Sequence, residues 1–493
     1  MSILPSAWAK SIHRSEAVAL GLALVVGLAI ALLPLTWAAL LVVGAGVVLA
    51  TLVYPQLGLL LILPAVPFGS LRQIQVGVMN VGLAEALVAL VLAAWLARLV
   101  ARREIRWRWP PLSLPLLVFL GVLLLSALAA LSLSHSLKEL LKWAEVLALY
   151  VMAGNELDGR WLRLFVVVLL GTGALAALHG IYQFLFQLGP EGFVLFGRFM
   201  RAYGTFEQPN PYAGYLGLTL PVALGLVIAA VLPGPGRARA WWLVWAGGCG
   251  ALMLAALVMS WSRGAWLGFA AAVGAMVLAI VVRRGRMAVL LALAGLVVAY
   301  VVLAGGLSRL PPALVERFAD LTTYVGLTDV RGVEVTDANF AVVERMAHWQ
   351  SALDMWTDHA WLGVGIGNYE AAYGQYALPQ WPDALGHAHN YYLNIAAEAG
   401  VLGLTAYLLL WGAALLGAWR AAQCARGAAW GVALGILGIV VHLGVHHVFD
   451  NLFVHGMYLQ LGMLLGTIPS LAASRSGEPA PGAGGWITTD GRS

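Results

Sequence analysis

Long apolar runs, each broken by a few charged or turn-forming residues, fill most of this 493-residue chain. Runs of spanning or near-spanning length lie near 17–36, 38–54, 56–70, 80–100, 112–132, 138–155, 160–187, 210–232, 240–260, 263–283, 287–306, 391–418, 427–447 and 453–472. At about 20 residues per crossing they predict about fourteen helices, or about twelve where short early runs are re-entrant or merged. Either count leaves both termini on one side. The expected fold is all-α, a polytopic transmembrane helix bundle of about 12–14 spans with a long outward-facing loop containing amphipathic helices. The first run follows Lys10 and Arg14 as in a signal peptide. It lacks a small-residue cleavage site and further apolar runs follow, so it reads as a retained span. No internal repeat stands out.

The longest interruption, 307–390, carries Val342, Met346, Trp349, Leu353 and Trp356 at alternating spacings of four and three. That period predicts an amphipathic helix lying on the bundle or at the interface. The chain therefore divides into an N-terminal transmembrane bundle, 1–306, which includes the loop 188–209; a loop region, 307–390; C-terminal transmembrane helices, 391–472; and a Gly-, Pro- and Ser-rich tail, 473–493, read as disordered.

Composition supports the membrane assignment. The chain is 61% hydrophobic and 10% charged, where soluble domains carry about 25% charged residues. The net charge of +5 does not point to nucleic acid, because the basic residues sit in short clusters between apolar runs. Two cysteines, Cys249 and Cys424, support neither a disulfide framework nor a cysteine metal site. The densest basic cluster, Arg98, Arg102, Arg103, Arg106 and Arg108, marks its loop as cytoplasmic under the positive-inside rule. The clusters at Arg160 and Arg163, Arg237 and Arg239, Arg283 to Arg286, and Arg420 and Arg426 agree in phase, and both termini come out cytoplasmic. The segments 188–209, 261–264, 307–390 and 448–452 then share the outward face.

Polar residues on that face are the candidates for chemistry. Arg198 and Arg201 lie in the first outward loop, and Arg263 sits between two apolar runs with almost no loop around it. A guanidinium matches phosphate oxygens bidentately, so either loop could hold an anion; lipid headgroups or snorkelling offer the other account. Two arginines on one face that could converge on one pyrophosphate carry more weight than either alone. His387 and His389 precede the apolar run from Tyr391, and His389, next to the helix start, is the better-held of the two. Imidazole titrates near neutral pH and could take a proton from a hydroxyl, or could simply cap the helix. Glu398, inside the span, needs a partner, and could orient an imidazole or hold a basic group. His442, His446 and Asp450 share a helix face at i, i+4, i+8, either as a metal site or as polar groups lining a cavity. Lys138, Lys142 and Glu145 share another, for lipid phosphate or for pairing with each other. Residues 362–367, Leu-Gly-Val-Gly-Ile-Gly, lack the spacing and context of a dinucleotide loop and read as a turn.

With these residues the chain resembles the O-antigen ligase and polymerase family of bacterial membrane glycosyltransferases, over roughly residues 130–470. The resemblance rests on Arg201 to Asn210 with its Gly-Thr-Phe and Pro-Asn elements, Ser262-Arg263-Gly264, Arg345 with Trp349, the Gly363 to Gly367 turn, and His389-Asn390 followed after nine residues by Gly400 and then Gly403. It implies metal-independent, cofactor-free, inverting transfer of a glycan from an undecaprenyl-diphosphate carrier to a glycan, lipid or protein acceptor, at the outer face of the bacterial inner membrane among its lipids. It also implies roles: Arg201 and Arg263 on the donor diphosphate and His389 activating the acceptor; Asn390, Glu398, Arg345 and Arg198 are the supporting candidates. The acidic stretch 313–340, with Glu316, Asp320, Asp329, Glu334 and Asp337, departs from the family pattern. A transporter or flippase of lipid-linked saccharides is the rival class; it should show symmetry-related repeats and midplane charges, whereas here the polar groups gather at one boundary.

Overall fold

The computed structural model describes residues 27–28, 32–69, 74–76, 79–102, 108–232, 237–285, 329–336 and 339–473. Apart from two short hairpins, β1 (Ile74–Val76) with β2 (Met79–Val81) and β3 (Val194–Leu195) with β4 (Phe199–Met200), its regular structure is helical. The chain is an integral membrane protein of the all-α class: among the described residues eight helices are long and apolar enough to cross a bilayer, with three shorter apolar segments beside them. In chain order the described α-helices, spanning or not, are α1 (Leu35–Val53), α2 (Pro55–Gly69), α3 (Leu83–Arg102), α4 (Ser113–Ser126), α5 (Leu133–Glu156), α6 (Gly159–Leu185), α7 (Pro209–Gly217), α8 (Leu220–Val231), α9 (Arg237–Met259), α10 (Arg263–Arg284), α11 (Phe340–Asp358), α12 (Tyr369–Tyr376), α13 (Tyr391–Cys424), α14 (Gly427–His446), α15 (Met457–Gly466) and α16 (Ile468–Ala473). The apolar run expected over 210–232 divides into α7 and α8. Most of the expected span 17–36, the span 287–306, the segment 307–328 and nearly all of the tail lie outside the described residues.

The chain forms two compact units, Met1–Gly58 with Leu90–Glu104, and Leu59–Ala89 with Ile105–Ser493. In the first, Gly58 lies against Thr51 and Val91. The second holds every residue of the candidate site. Its packing follows membrane rather than aqueous logic, since lipid offers leucine no reason to turn inward and close backbone approach rewards small residues instead. α8 and α14 touch backbone to backbone at Gly225, Gly431 and Gly435. Along α13, Ala406, Ala414, Ala418 and Ala421 are buried, while Leu402, Leu408, Leu409, Leu415 and Leu416 are exposed.

A break in α13 positions the site. Gly400 has φ 64° and ψ −165°, a region essentially reserved for glycine. There the helix ladder is interrupted, and the turn that follows α11 takes over: Val364 N–H donates to the Ala397 carbonyl at 2.9 Å and Val401 N–H donates to Ala360 at 2.8 Å. The fit is reciprocal, for a side chain at Gly363 would strike the Glu398 backbone, and one at Gly400 would strike Trp361. Residues 362–367 are indeed a turn, and it is the piece that fastens the described part of the insert to α13.

α11 lies where the periodicity predicts a helix, with a different face inward. Val343, Met346, Ala347, His348, Ser351, Ala352 and Met355 are buried, whereas Val342, Trp349, Leu353 and Trp356 are only partly covered. The helix packs on α13 and α12, with Ala352 and Met355 in one core with Tyr369, Tyr373 and Ala397. Above it, Val330, Val343, Met346, Ala347, Leu378 and Trp381 form a separate small core.

Candidate active site

The loop 188–209 folds back onto the α9–α10 turn, with Ala202 N–H donating to the Met259 carbonyl at 2.9 Å. Arg201 follows: its Nε donates to the Ser260 carbonyl at 2.9 Å and its Nη2 to Asn210 Oδ1 at 3.1 Å. The same Asn210 oxygen accepts the Ser262 hydroxyl at 2.9 Å. Ser262 directly precedes α10, which begins with Arg263, and Asn210 lies in the first turn of α7. Two helix starts and two arginine-bearing segments thus meet around one asparagine. The start of α10 presents unpaired N–H groups and a partial positive charge, the same preference for an anion that a guanidinium has, whereas α7 opens on Pro209 and Pro211, which carry no N–H. Arg198 lies apart on the exposed β-hairpin, its guanidinium 5.3 Å from the Phe199 ring centre.

The histidine loop is held from both ends. Asn390 caps α13, its side-chain oxygen accepting from Tyr392 N–H at 3.0 Å and Leu393 N–H at 3.1 Å, and Asn394 Oδ1 accepts from Ala388 N–H at 3.0 Å. Between them His389 adopts φ 52°, a left-handed conformation uncommon for a residue with a side chain and found most often where a site requires it. Its N–H donates to His387 Nδ1 at 3.1 Å. Tyr391 N–H donates to the His447 carbonyl at 2.8 Å, tying the loop to the end of α14.

Asp450, just beyond α14 and 4% exposed, completes the group. Its Oδ1 lies 3.5 Å from His389 Nδ1 and 3.9 Å from His387 Nε2. The three ligand atoms lie within 4.8 Å of one another, a spacing that would suit a metal ion. The tautomer argues otherwise. His387 Nδ1 accepts a hydrogen bond, so in the neutral ring Nε2 carries the proton and presents Asp450 with a donor, not a lone pair. Burial pushes the Asp450 carboxyl up, but the contact with His389 and the charges of His387, His389 and Arg345 outweigh it and hold the group well below the usual carboxylate range. Burial first, then His389, lowers His387 to about 4, so its ring is neutral at pH 7. The start of α10 packs on the end of α14: a side chain at Gly264, next to Arg263, would press on the His446 ring and on Phe449.

Sequence reasoning placed Asp450 with His442 and His446, whereas the structure turns it toward His387 and His389. His442 and His446 are fully buried in α14. His348 was not singled out, yet its ring stands 5.5 Å from that of His389 and stacks on Tyr373 at 4.9 Å; its place on the inward face of α11 was the available signal. Asn210 lay within the quoted Pro-Asn element without a role of its own. Arg345 contributes positive potential at Asp450 and His387. Glu398 accepts from Tyr369 N–H at 3.1 Å, so its carboxyl oxygen satisfies one of the unpaired N–H groups at the start of α12. Lys142 pairs with Glu139 at 2.5 Å, and Glu145 accepts from the Tyr458 hydroxyl at 3.2 Å.

The structure defines a polytopic membrane protein in which the start of α10, beside Arg201 and Asn210, packs on the end of α14, which holds the histidine loop. Residues 248–408 match the family described as O-antigen ligase, in agreement with the resemblance carried by the motifs. Arg263, Arg345, His389, Asn390 and Glu398 fall inside the match; Arg198, Arg201 and Asp450 lie outside it. Comparison with curated proteins finds no match.

Proposed function

We propose that the protein transfers a glycan from an undecaprenyl-diphosphate carrier to an acceptor hydroxyl at the outer face of the bacterial inner membrane, in the manner of an O-antigen ligase or polymerase. The observation that carries this reading is the adjacency of two sites. One, at Arg201, Asn210, Ser262 and Arg263, suits a diphosphate; the other, at His389, suits a hydroxyl. A diphosphate is a competent leaving group, so catalysis needs stabilisation of the charge that develops on it and a base for the attacking oxygen. Arg201, Arg263 and the start of α10 serve the first need and His389 the second, with inversion at the anomeric carbon and no metal required. Asn390 fixes the base, Arg345 adds positive potential, and Glu398 holds the insert against α13. Arg198, exposed on its hairpin, meets the lipid headgroups or the outer part of the donor. The acceptor is a glycan, lipid or protein hydroxyl.

The test is transfer by purified protein in lipid nanodiscs supplied with an undecaprenyl-diphosphate glycan and candidate acceptors. His389→Ala is expected to lower turnover by at least about 100-fold, the lower range for a general base, while retaining donor binding. Arg263→Ala is expected to weaken both. Full activity in His389→Ala would defeat the assignment, and movement of intact donor between leaflets without transfer would favour a flippase.

A further inference from the structure

We propose that α11 selects the acceptor: Glu344 and His348 bond hydroxyls that neighbour the attacking one, so the protein prefers a sugar ring to an isolated alcohol. The inference rests on the reading of His389 as the base and adds which acceptors that base serves. His348 is 1% exposed, and its ring stands 5.5 Å from that of His389. Packing holds the two together, since Ala388, between the histidines of the loop, shares a core with Ala352 and Met355 of α11 and with Tyr369 and Tyr373 of α12. The His348 ring stacks on Tyr373, and its Nδ1 lies 3.0 Å from the Tyr369 hydroxyl. Nε2 is buried and has no hydrogen-bond partner among the described residues. A buried polar atom left in that condition is uncommon and calls for a reason, such as a ligand that completes it.

Glu344 lies four positions earlier, on the same side of α11, where His389 and Arg345 act on its carboxyl. It is partly covered and forms no hydrogen bond or ion pair among the described residues. His389 Nε2 is covered and unpartnered as well, so an acceptor brought to His389 for deprotonation also meets α11. The chemistry of these groups sets what fits. A carboxylate accepts and does not donate, whereas a neutral imidazole does either at Nε2, according to its tautomer. Hydroxyls satisfy both groups whichever tautomer His348 holds. An ammonium serves a lone pair alone, and a phosphate or carboxylate meets Glu344 as a like charge. A sugar carries hydroxyls on neighbouring carbons, one to attack and others to be held, but a serine side chain carries one. In the step itself the attacking oxygen bonds to the anomeric carbon and its proton passes to His389. The bond from that carbon to the diphosphate oxygen breaks, its electron pair leaving with the phosphate. Glu344 and His348 exchange no proton and act on orientation.

The test compares acceptors in the nanodisc assay: methyl glycosides of glucose, galactose and mannose, their monodeoxy analogues, and a serine peptide. Wild-type protein should use its best glycoside at least about tenfold better, in kcat/KM, than the analogue lacking a hydroxyl beside the attacking one, because the site's own group is then left unpaired. The serine peptide should be poorer still. His348→Phe keeps a ring on Tyr373 without its nitrogens, and should bring one of these ratios to within about twofold of unity. His348→Gln, whose amide both donates and accepts, should keep part of it. Glu344→Ala should erase the preference at a different hydroxyl.

A protein indifferent to the missing hydroxyls, or one that favours the serine peptide, would overturn the proposal, and so would full discrimination in both His348→Phe and Glu344→Ala. Should His348→Phe fail to fold, the wild-type comparison and Glu344→Ala decide. Absence of transfer to every acceptor would instead sink the glycosyltransferase reading. Binding of the same glycosides and deoxy analogues without donor, compared between wild type and the variants, would then still decide the role of α11.

Discussion

Burial, reinforced by the neighbouring His389 and His387, lowers the His348 ring to about 3, so it is neutral in the folded protein across the working range of a membrane enzyme. Unfolded, the same ring takes up a proton near pH 6.5. Its folded value lies below the unfolded one, so its contribution to stability is complete above about pH 6.5 and is lost as pH falls toward about 3. The depressed Asp450 works in the same direction at the acid end, where its contribution disappears as the carboxylate is protonated. Melting temperature in detergent should therefore fall between pH 7 and pH 4.5, and His348→Gln should flatten that slope; an equally steep slope in the variant would count against it. Asn210 yields a second prediction. Its one oxygen serves both Arg201 and Ser262, so Asn210→Ala should weaken donor binding by about tenfold, as expected for losing a hydrogen bond to a charged group, with a smaller effect on kcat. At this scale much was legible: Arg201, Arg263 and His389 stand out because polar side chains are rare in so apolar a chain. What stayed hidden were partners brought in by other elements. Asp450 lies about 60 residues from His389 and on a helical pattern with His442 and His446, and only the fold turns it away from them.

At the level of elements, the apolar runs predicted helix positions well, because a backbone in lipid must satisfy its own hydrogen bonds. Side-chain periodicity did less well. The bulky stripe of α11 was the natural choice for a buried face in water, yet Ala347, Ser351 and Ala352 face inward because they let the helix approach closely. The break at Gly400 was marked only by a glycine, and its partner turn lies about 37 residues earlier. Gly400→Ala should cost on the order of 1–3 kcal/mol for its backbone conformation alone, and more from the collision with Trp361. A lower melting temperature and reduced transfer are expected. Gly412→Ala is the control, since a methyl group there meets nothing within 4 Å. Equal stability of the two variants would show that the break is not held as described. At the far end of the same helix, Arg283 donates to the Ala422 and Ala425 carbonyls, each at 2.7 Å, and lies over Trp430. A residue whose charge marks topology thus also caps α13.

For the whole molecule, the proposed orientation predicts which thiols an impermeant reagent can reach. Cys424 lies at the basic end of α13 and Asp383 is exposed on the insert. In intact cells with a permeable outer envelope, a membrane-impermeant maleimide should label Asp383→Cys and spare Cys424 until the inner membrane is lysed. Labelling of Cys424 first would invert the topology. The division of α13 has a mechanical consequence as well. Its first nine residues, about 14 Å at 1.5 Å per residue, stand on the insert side of the break, and about 24 residues, roughly 36 Å, continue beyond it. A thicker or thinner bilayer changes the tilt of the lower rod, and the discontinuity at Gly400 absorbs that rotation before it reaches the histidine loop. Turnover should consequently vary little when lipid chain length is changed in reconstituted vesicles, because the insert holds the upper stub through Val364 on Ala397 and steadies the top of the lower rod through Ala360 on Val401.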